Sequence, residues 1–368
     1  MIRTAVIMAG GSGERFWPLS RKNRPKQLLA LTSDKMMIED AIERIAPLIP
    51  LEHIYIFTSE ILQTPIREAL PNLPPENVVA EPFKRNTAPC LAFAAVFLVE
   101  KYGVSASEIS MAVLTADHYI STSSQFIQTV DKALQYAESN ADLVTIGIPP
   151  VRPETGYGYI ETNATNYEAN SIFPAISFRE KPNRETASQF LISGNFLWNS
   201  GMFFWRIDTF LKSIHENLPA VGDELEDLKN AIHNRTQNVY EGTIPEAKSI
   251  FEQFPDISID YGIMEKARNV AVIRAGFLWD DVGSWDSLDR MQPLDNDGNV
   301  LNGKNVLIDT RNSTIINTSG KQVIALIGVD NIVVVATDDA ILVCPKDKAQ
   351  YVRQAVAALR SLGHDEHL

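Results

Sequence analysis

Short apolar runs alternate with amphipathic segments through the first part of the chain. Ala5-Val6-Ile7-Met8 and Leu143-Val144-Thr145-Ile146 have the length and composition of buried strands, whereas apolar residues recur at helical spacing between Phe126 and Ala137. Strands that alternate with helices form right-handed crossovers, which build a mainly parallel sheet covered by helices on both faces. We therefore predict a doubly wound, Rossmann-like α/β fold. The same pattern predicts further strands at 54–57 and 111–114 and further helices within 37–45, 61–70 and 87–101.

The pattern changes after Pro293–Gly303, a segment rich in Asp, Asn and Gly that is typical of a linker. Five short apolar runs follow within residues 305–343 at intervals of about 8–10 residues, which indicates all-β structure. Helical spacing over residues 352–362 predicts a closing helix. Because a chain of 368 residues exceeds the size of a single hydrophobic core, we predict two domains, residues 1–292 and a β-rich domain of residues 293–368.

The composition excludes several classes of partner. The formal net charge is −13, so nucleic acid and anionic membranes would be repelled, and we expect neither as a partner. No apolar stretch approaches the roughly 18 residues that a membrane span needs, and the N-terminus lacks the layout of a signal peptide. Cys90 and Cys344 lie in apolar runs and are expected to be core residues rather than a disulfide or a nucleophile. We expect a cytoplasmic protein.

A glycine-rich loop, Gly10-Gly11-Ser12-Gly13, follows the first predicted strand directly. Glycines allow backbone N–H groups to converge on an anion, and doubly wound sheets bind ligands at the carboxyl ends of their strands. Phe16 replaces the third glycine of a dinucleotide fingerprint, which disfavours a nicotinamide oxidoreductase, and no Gly-Lys-Ser/Thr follows. A tight structural turn is the alternative explanation.

Four cations crowd into the short segment after this loop. They are Arg15, Arg21, Arg24 and Lys26. An acidic protein that places four positive charges beside a glycine loop is expected to neutralise phosphates there. Lys22 is expected to be a solvated surface charge.

The loop and the segment after it closely resemble the signature of bacterial mannose-1-phosphate guanylyltransferases, the GDP-mannose pyrophosphorylases. The matching run is Gly10-Gly11-Ser12-Gly13-Glu14-Arg15-Phe16-Trp17-Pro18-Leu19-Ser20-Arg21, closed by Pro25-Lys26-Gln27. Phe16 stands where that pattern usually has Leu. Further segments resemble the family's motifs in the family's order. They are 81–89, 115–118, 155–160, 178–182, 199–203 and 279–285.

The resemblance implies transfer of GMP from GTP to α-D-mannose 1-phosphate, with release of pyrophosphate. It also implies a nucleotidyltransferase domain followed by a small β-helix-like domain that helps to form a homodimer, and the short form that lacks an isomerase domain. A sugar 1-phosphate is already charged near neutral pH, because phosphomonoesters have a second pKa near about 6. Its oxygen can attack the α-phosphorus of GTP directly, so no Ser, Cys or His nucleophile is required.

The resemblance also assigns roles to individual residues. It makes Arg15 and Lys26 catalytic, and Asp117 and Asp281 ligands of Mg²⁺. The implied nucleotide-binding residues are Gly10, Gly11, Ser12, Gly13, Asn86, Thr87 and Asp117. The implied sugar-phosphate-binding residues are Gly158, Glu180, Lys181 and Asn199.

Alternatives remain at several of these positions. Asn86 or Thr87 can equally cap a helix, and a Glu-Lys pair such as Glu180-Lys181 is ordinarily a solvated surface pair. Asp280 is the nearest rival of Asp281 as a metal ligand. Two alternative functions also remain: a related pyrophosphorylase for another sugar 1-phosphate or another base, and a non-catalytic subunit that senses a sugar nucleotide.

Overall fold

The computed structural model describes residues 1–163, 168–233 and 242–368. The chain divides into two compact units. The first unit comprises Met1–Gly10, Ala41–Thr115 and Ile120–Trp279, and the second comprises Gly11–Asp40, Ala116–Tyr119 and Asp280–Leu368. The second unit therefore combines the C-terminal region with the segment that begins in the glycine loop. The domain boundary near residue 293 stays a prediction.

Helices and strands account for most of the described residues. The helices are α1 (Met37–Ile45), α2 (Glu60–Ala69), α3 (Thr87–Tyr102), α4 (Ser123–Ser139), α5 (Arg184–Ser193), α6 (Ile207–Asn217), α7 (Pro219–Gly222), α8 (Leu225–Ile232), α9 (Pro245–Phe251) and α10 (Val352–Ser361). The strands are β1 (Ile2–Met8), β2 (Ile54–Thr58), β3 (Val78–Ala80), β4 (Ile109–Thr115), β5 (Tyr119–Ile120), β6 (Leu143–Ile148), β7 (Tyr159–Glu161), β8 (Ile172–Pro174), β9 (Ser177–Arg179), β10 (Phe196–Arg206), β11 (Val270–Arg274), β12 (Trp279–Asp280), β13 (Val300–Asn302), β14 (Asn305–Ile308), β15 (Thr314–Asn317), β16 (Ile324–Ile327), β17 (Ile332–Ala336) and β18 (Ile341–Pro345).

The first unit is built on one mixed sheet in the order β3-β2-β1-β4-β10-β6-β11-β8. The strands β3, β2, β1 and β4 run parallel, as do β6 and β11, whereas β10 runs antiparallel to both of its neighbours and β8 runs antiparallel to β11. The α/β prediction is confirmed, but the sheet is mixed rather than mainly parallel. The direction of β10 could not be predicted, because a strand buried on both faces has the same apolar composition in either orientation.

The central strand β1 is buried on both faces. Val6 packs into the main hydrophobic cluster with Phe57, Phe93 and Phe97, and Ala5 beside it on the opposite face is also inaccessible to solvent. The register pairs Met8 of β1 with Thr115 of β4. Because these strands are parallel, the segments that leave them start at the same edge of the sheet.

Two parallel ladders form the C-terminal part of the second unit. The strands β13, β15 and β17 pair in parallel, β14 pairs in parallel with β16, and β18 closes the first ladder in the antiparallel direction. This repeated coil of short strands confirms the β-rich, β-helix-like prediction. Side chains alternate between partly buried and exposed positions along β14 and β16.

The core of the second unit joins the glycine-loop segment to the C-terminal strands. Phe16 packs edge-on against Trp285, with ring centroids 5.0 Å apart, in a cluster that also contains Val335 and Val356. The indole N–H of Trp285 donates to the carbonyl of Trp17 at 3.0 Å. The loop segment is therefore anchored by the same core that stabilises the C-terminal strands. Among the described residues, no helix is both long and apolar enough to span a membrane.

Candidate active site

The end of the glycine loop packs directly against Lys26. Gly13 has a φ of 61°, and a Cβ atom there would lie 2.3 Å from Lys26 Cβ and 2.8 Å from Lys26 N. Both the left-handed backbone and the lack of space require glycine at this position. Gly11, Ser12 and Gly13 lie in the second unit, as Lys26 does, whereas Gly10 belongs to the first unit.

Lys26 contacts both of the predicted metal ligands, Asp117 and Asp281. Its side chain is only 7% exposed, and Nζ donates to Asp117 Oδ2 at 2.9 Å and to the backbone carbonyl of Asp281 at 2.7 Å. A buried ammonium group needs such partners, because desolvation of an unpaired charge is costly. The contact brings together segments that lie 91 and 255 residues from Lys26 in sequence.

The Asp117 carboxylate is held in its ionised form. Burial would raise its pKa, but the positive charge of Lys26, with those of His118 and Arg15, outweighs burial and lowers the pKa below the ordinary value. The Asp117 side chain is 36% exposed, so solvent and ligands can reach it. Asp117 follows the end of β4 by two residues, as the sequence predicts.

A strained turn follows Asp281. Val282 has a φ of 49°, which is unfavourable for a β-branched residue, and its N–H donates to Asp280 Oδ1 at 2.9 Å. Asp280 is buried and accepts two further hydrogen bonds from Arg290, at 2.8 and 3.1 Å. Asp280 therefore stabilises the turn, which favours Asp281 over Asp280 as the carboxylate available to a ligand.

Arg15 lies close to the Asp281 turn. A Cβ atom on Gly283 would lie 3.2 Å from both carboxylate oxygens of Asp281 and 3.6 Å from Arg15 Nη1. Arg15 Nη1 donates to Gln350 Oε1 at 2.9 Å. The second unit thus gathers Gly13, Arg15, Lys26, Asp117 and Asp281 into one cluster.

The other cations of the segment have different partners. Arg21 forms an ion pair with Asp339 at 2.8 Å and also donates to the carbonyl of His367. Lys22 pairs with Asp365 at 2.9 Å, and both of these side chains are more than half exposed. Arg21 therefore holds the C-terminal segment, and Lys22 is the solvated charge that the sequence predicts.

Glu180 and Lys181 lie in the first unit and are not a simple surface pair. Lys181 Nζ contacts Glu180 Oε1 at 2.9 Å, but the Glu180 side chain is only 11% exposed. Glu180 Oε2 occupies the space beside Gly158, where a Cβ atom would be 2.5 Å away. The hydrogen bond to Glu180 raises the pKa of Lys181, whose φ of 47° is unusual for a residue with a side chain.

Asn199 extends this cluster to an aspartate that the sequence analysis missed. Its Nδ2 donates to Asp260 Oδ1 at 2.7 Å, and its Oδ1 accepts from Thr145 Oγ1 at 3.1 Å. Burial, reinforced by the negative charge of Glu180, raises the pKa of Asp260 to about 6. Asp260 begins a five-residue π-helical turn, Asp260–Met264, for which no periodic sequence signal exists.

Asn86 caps helix α3, which is the alternative to nucleotide binding that the sequence analysis gave for this residue. Its Oδ1 accepts from Thr87 N at 2.9 Å, and its φ of 67° places it among the few strained non-glycine residues of the described chain. Thr87 Oγ1 accepts from the N–H of Ile259 at 2.8 Å, one residue before Asp260. The helix start and the Asn199–Asp260 cluster are therefore parts of one connected arrangement in the first unit.

The cysteines have no catalytic environment. Both are free, and burial, together with the nearby Glu81 carboxyl, raises the pKa of the Cys90 thiol well above its ordinary value. Burial also raises the pKa of Glu81 to about 7, although its hydrogen bond with Cys90 opposes the shift. A protonated thiol of this kind is a poor nucleophile.

Two protein-family models match the chain along most of its length. Residues 4–297 match the family model described as nucleotidyl transferase, and residues 303–359 match that of the MannoseP isomerase/GMP-like beta-helix domain. A mannose-1-phosphate geranyltransferase from Thermus thermophilus has a similar structure, with a TM-score of 0.84 and 32% identity over 98% of this chain and all of that one.

Curated relatives align along most of the chain. A mannose-1-phosphate guanylyltransferase from Escherichia coli is 38% identical over 81% of this chain, and the chain spans 62% of its length. The alginate biosynthesis protein AlgA from Pseudomonas syringae pv. tomato is 36% identical over 98% of this chain and 72% of its own length. From the extent of these matches we conclude that the chain belongs to the nucleotidyl transferase family.

Proposed function

We propose that this protein transfers GMP from GTP to α-D-mannose 1-phosphate, giving GDP-mannose and pyrophosphate. The observation that carries the proposal is the cluster of Arg15, Lys26, Asp117 and Asp281 at the end of a glycine loop, in a chain similar to mannose-1-phosphate guanylyltransferases. Such a cluster suits a reaction in which charge must be stabilised on a triphosphate and no covalent nucleophile is needed.

On the nucleotide side, Gly10, Gly11, Ser12 and Gly13 would bind the triphosphate through backbone N–H groups. Arg15 and Lys26 would stabilise negative charge as the sugar-phosphate oxygen bonds to the α-phosphorus and the bond to pyrophosphate breaks. Asn86 and Thr87 would contact the base and ribose. The buried, doubly bonded Lys26 is well suited to this role because its ammonium group is already oriented before the substrates bind.

Asp117 and Asp281 would hold Mg²⁺. Among the described residues no group of three or more His, Cys, Asp or Glu side chains could hold a metal, so the protein would contribute two carboxylates. Two carboxylates completed by phosphate oxygens and water provide the all-oxygen shell that Mg²⁺ prefers, and the lowered pKa of Asp117 keeps its oxygens ionised. The bound ion would neutralise charge on the phosphates.

On the sugar side, Glu180 and Asn199 would accept and donate hydrogen bonds to sugar hydroxyls, and Lys181 would bind the sugar phosphate. Gly158 would allow the backbone to approach the ring. We add Asp260 to this group, because Asn199 holds its carboxylate beside Glu180. A pair of acidic groups with little exposure is costly to folding, and such pairs are frequent where ligands bind.

A substrate panel tests the proposal directly. Purified protein should release pyrophosphate from GTP with mannose 1-phosphate much faster than from ATP, UTP or dTTP, or with glucose 1-phosphate. Chelation by EDTA should abolish the release, and added Mg²⁺ should restore it. Preference for another pair would favour the related pyrophosphorylase, and binding of GDP-mannose without turnover would favour the sensor subunit.

Lys26→Met should lower kcat by about a hundredfold or more, because a positive charge is lost where the transition state carries most negative charge. The matched control is Lys22→Met, which removes an exposed surface pair and should have little effect. Lys181→Met should instead raise mainly the KM for mannose 1-phosphate. Initial rates measured with each substrate varied in turn give both constants. The assignment is wrong if Lys26→Met mainly raises the KM for mannose 1-phosphate and Lys181→Met mainly lowers kcat.

Asp260→Asn should raise stability while lowering activity. The folded-state pKa of about 6 lies above the ordinary 3.8, so stability decreases as pH rises between these values, and an ionised Asp260 costs folding free energy above pH 6. The variant should therefore be more stable than the original protein by about 1–2 kcal/mol at pH 7.5, and by much less at pH 4. Its KM for mannose 1-phosphate should rise.

Thermal unfolding at both pH values measures this difference, and Asp256→Asn is the control, since it makes the same change at an exposed position nearby. Equal destabilisation of Asp260→Asn at both pH values would show that the carboxylate is a structural group and not a binding group.

We also propose that residues 293–368 pair two copies of the chain. The outer side of β14 and β16 exposes Val306, Ile308 and Ile327 by 52%, 54% and 69%, and contiguous exposed apolar residues mark interaction surfaces. Two-fold homodimers are the commonest solution for soluble proteins. Light scattering should show a dimer at micromolar concentrations, and Ile308→Lys should yield a monomer, whereas Ile192→Lys on α5 should not. A monomeric original protein would contradict the proposal.

A further inference from the structure

We propose that Gln350, in the C-terminal region, is a positioning residue that orients Arg15 for the triphosphate without neutralising it. The inference rests on the proposed function, since it assigns the partner that holds a proposed catalytic arginine. It also assigns a part in phosphate binding to the region after residue 293, where the sequence analysis identified no catalytic or binding residue.

The contacts form a short chain of hydrogen bonds. Arg15 Nη1 donates to Gln350 Oε1 at 2.9 Å, and Gln350 Nε2 donates to Ser284 Oγ at 2.8 Å. The Ser284 hydroxyl in turn donates to Asp286. Ser284 is 1% exposed and lies in the turn that carries Asp281, so the chain connects Arg15 to the proposed metal-binding turn through one residue of the C-terminal region.

The partners determine the orientation of the Gln350 amide. A guanidinium group has only donors, so the atom that faces Arg15 must be the carbonyl oxygen. The amide nitrogen then faces Ser284, whose hydroxyl can accept from it while donating to Asp286. Each polar atom of Gln350 has one suitable partner, and a rotated amide would place N–H groups against N–H groups.

The neutral character of Gln350 is the feature that suggests its function. The Arg15 guanidinium donates to Gln350 Oε1, an uncharged acceptor, in a corner where the carboxylates of Asp117 and Asp281 already lie nearby. A carboxylate at position 350 would hold Arg15 at least as firmly, but it would cancel the positive charge that a phosphate needs. An amide fixes the direction of the guanidinium and leaves its charge and its other N–H donors for the ligand.

The decisive variant is Gln350→Glu. Glutamate has nearly the same shape and accepts a stronger, charge-assisted hydrogen bond from Arg15, although it loses the hydrogen bond that the Gln350 amide donates to Ser284. We expect the unfolding midpoint to fall no further than it does in Gln350→Met, which loses both hydrogen bonds, while kcat/KM for GTP falls about five- to tenfold because Arg15 becomes neutralised. The KM for mannose 1-phosphate should change little. Gln350→Met, which removes the hydrogen bond without adding charge, should lower kcat/KM for GTP by a smaller factor.

The matched control is Gln354→Glu, which introduces the same charge at an exposed position of α10, four residues along the chain. It should leave all kinetic constants within about twofold of the original values, because screening weakens effects between exposed charges. In an Arg15→Ala background, Gln350→Glu should have no further effect, since its influence passes through Arg15. The inference would be overturned if Gln350→Glu were as active as Gln354→Glu. It would also be overturned if Gln350→Glu lowered kcat/KM by the same factor in the Arg15→Ala background as in the original protein.

A binding measurement separates this inference from the proposed function. Magnesium pyrophosphate, a product for any base and any sugar, serves as the calorimetric probe. If the original protein fails to join GTP to mannose 1-phosphate, the proposed function is wrong, but Gln350→Glu should still weaken pyrophosphate binding about five- to tenfold relative to Gln354→Glu. Equal pyrophosphate affinities, or no pyrophosphate binding by the original protein, would overturn the role of Gln350.

Discussion

The burial of one ammonium group explains much of the organisation of the second unit. Lys26 can be buried only if its charge is compensated, and Asp117 Oδ2 and the Asp281 carbonyl provide that compensation. The backbone of Gly13 must also pass beside Lys26. These contacts join three segments that are far apart in sequence, and all three belong to the discontinuous second unit.

Backbone strain is concentrated beside the proposed site residues. Within the described residues, the non-glycine positions with positive φ are Asn and Asp apart from Lys181 and Val282. Asn and Asp adopt this conformation readily, whereas Lys and Val do so only when their surroundings enforce it. Lys181 follows the buried Glu180, and Val282 follows Asp281. Folding free energy is thus used to orient two groups that the proposed reaction needs.

The predictable parts of this structure are those whose signals are local. The glycine loop and Asp117 could be placed because each follows a strand whose apolar composition is evident, and the C-terminal strands could be recognised from their spacing. The direction of β10 was unpredictable because its residues are buried on both faces. Asp260 lies in a π-helical turn without periodicity, and Gln350 acquires its partner through a contact that spans 335 residues.

The contact between Gly13 and Lys26 has a consequence for how such a protein can evolve. A single methyl group at position 13 would displace Lys26, and with it the bonds to Asp117 and Asp281, so changes in this corner must be concerted rather than stepwise. The recorded hydrogen bonds of Glu180, Asn199 and Asp260 lie within the other unit and do not involve Lys26. Substitutions among these residues can therefore occur without disturbing the contacts of Lys26. Among descendants of such a chain, the cluster of Glu180, Asn199 and Asp260 should diverge more readily than the corner of Gly13 and Lys26.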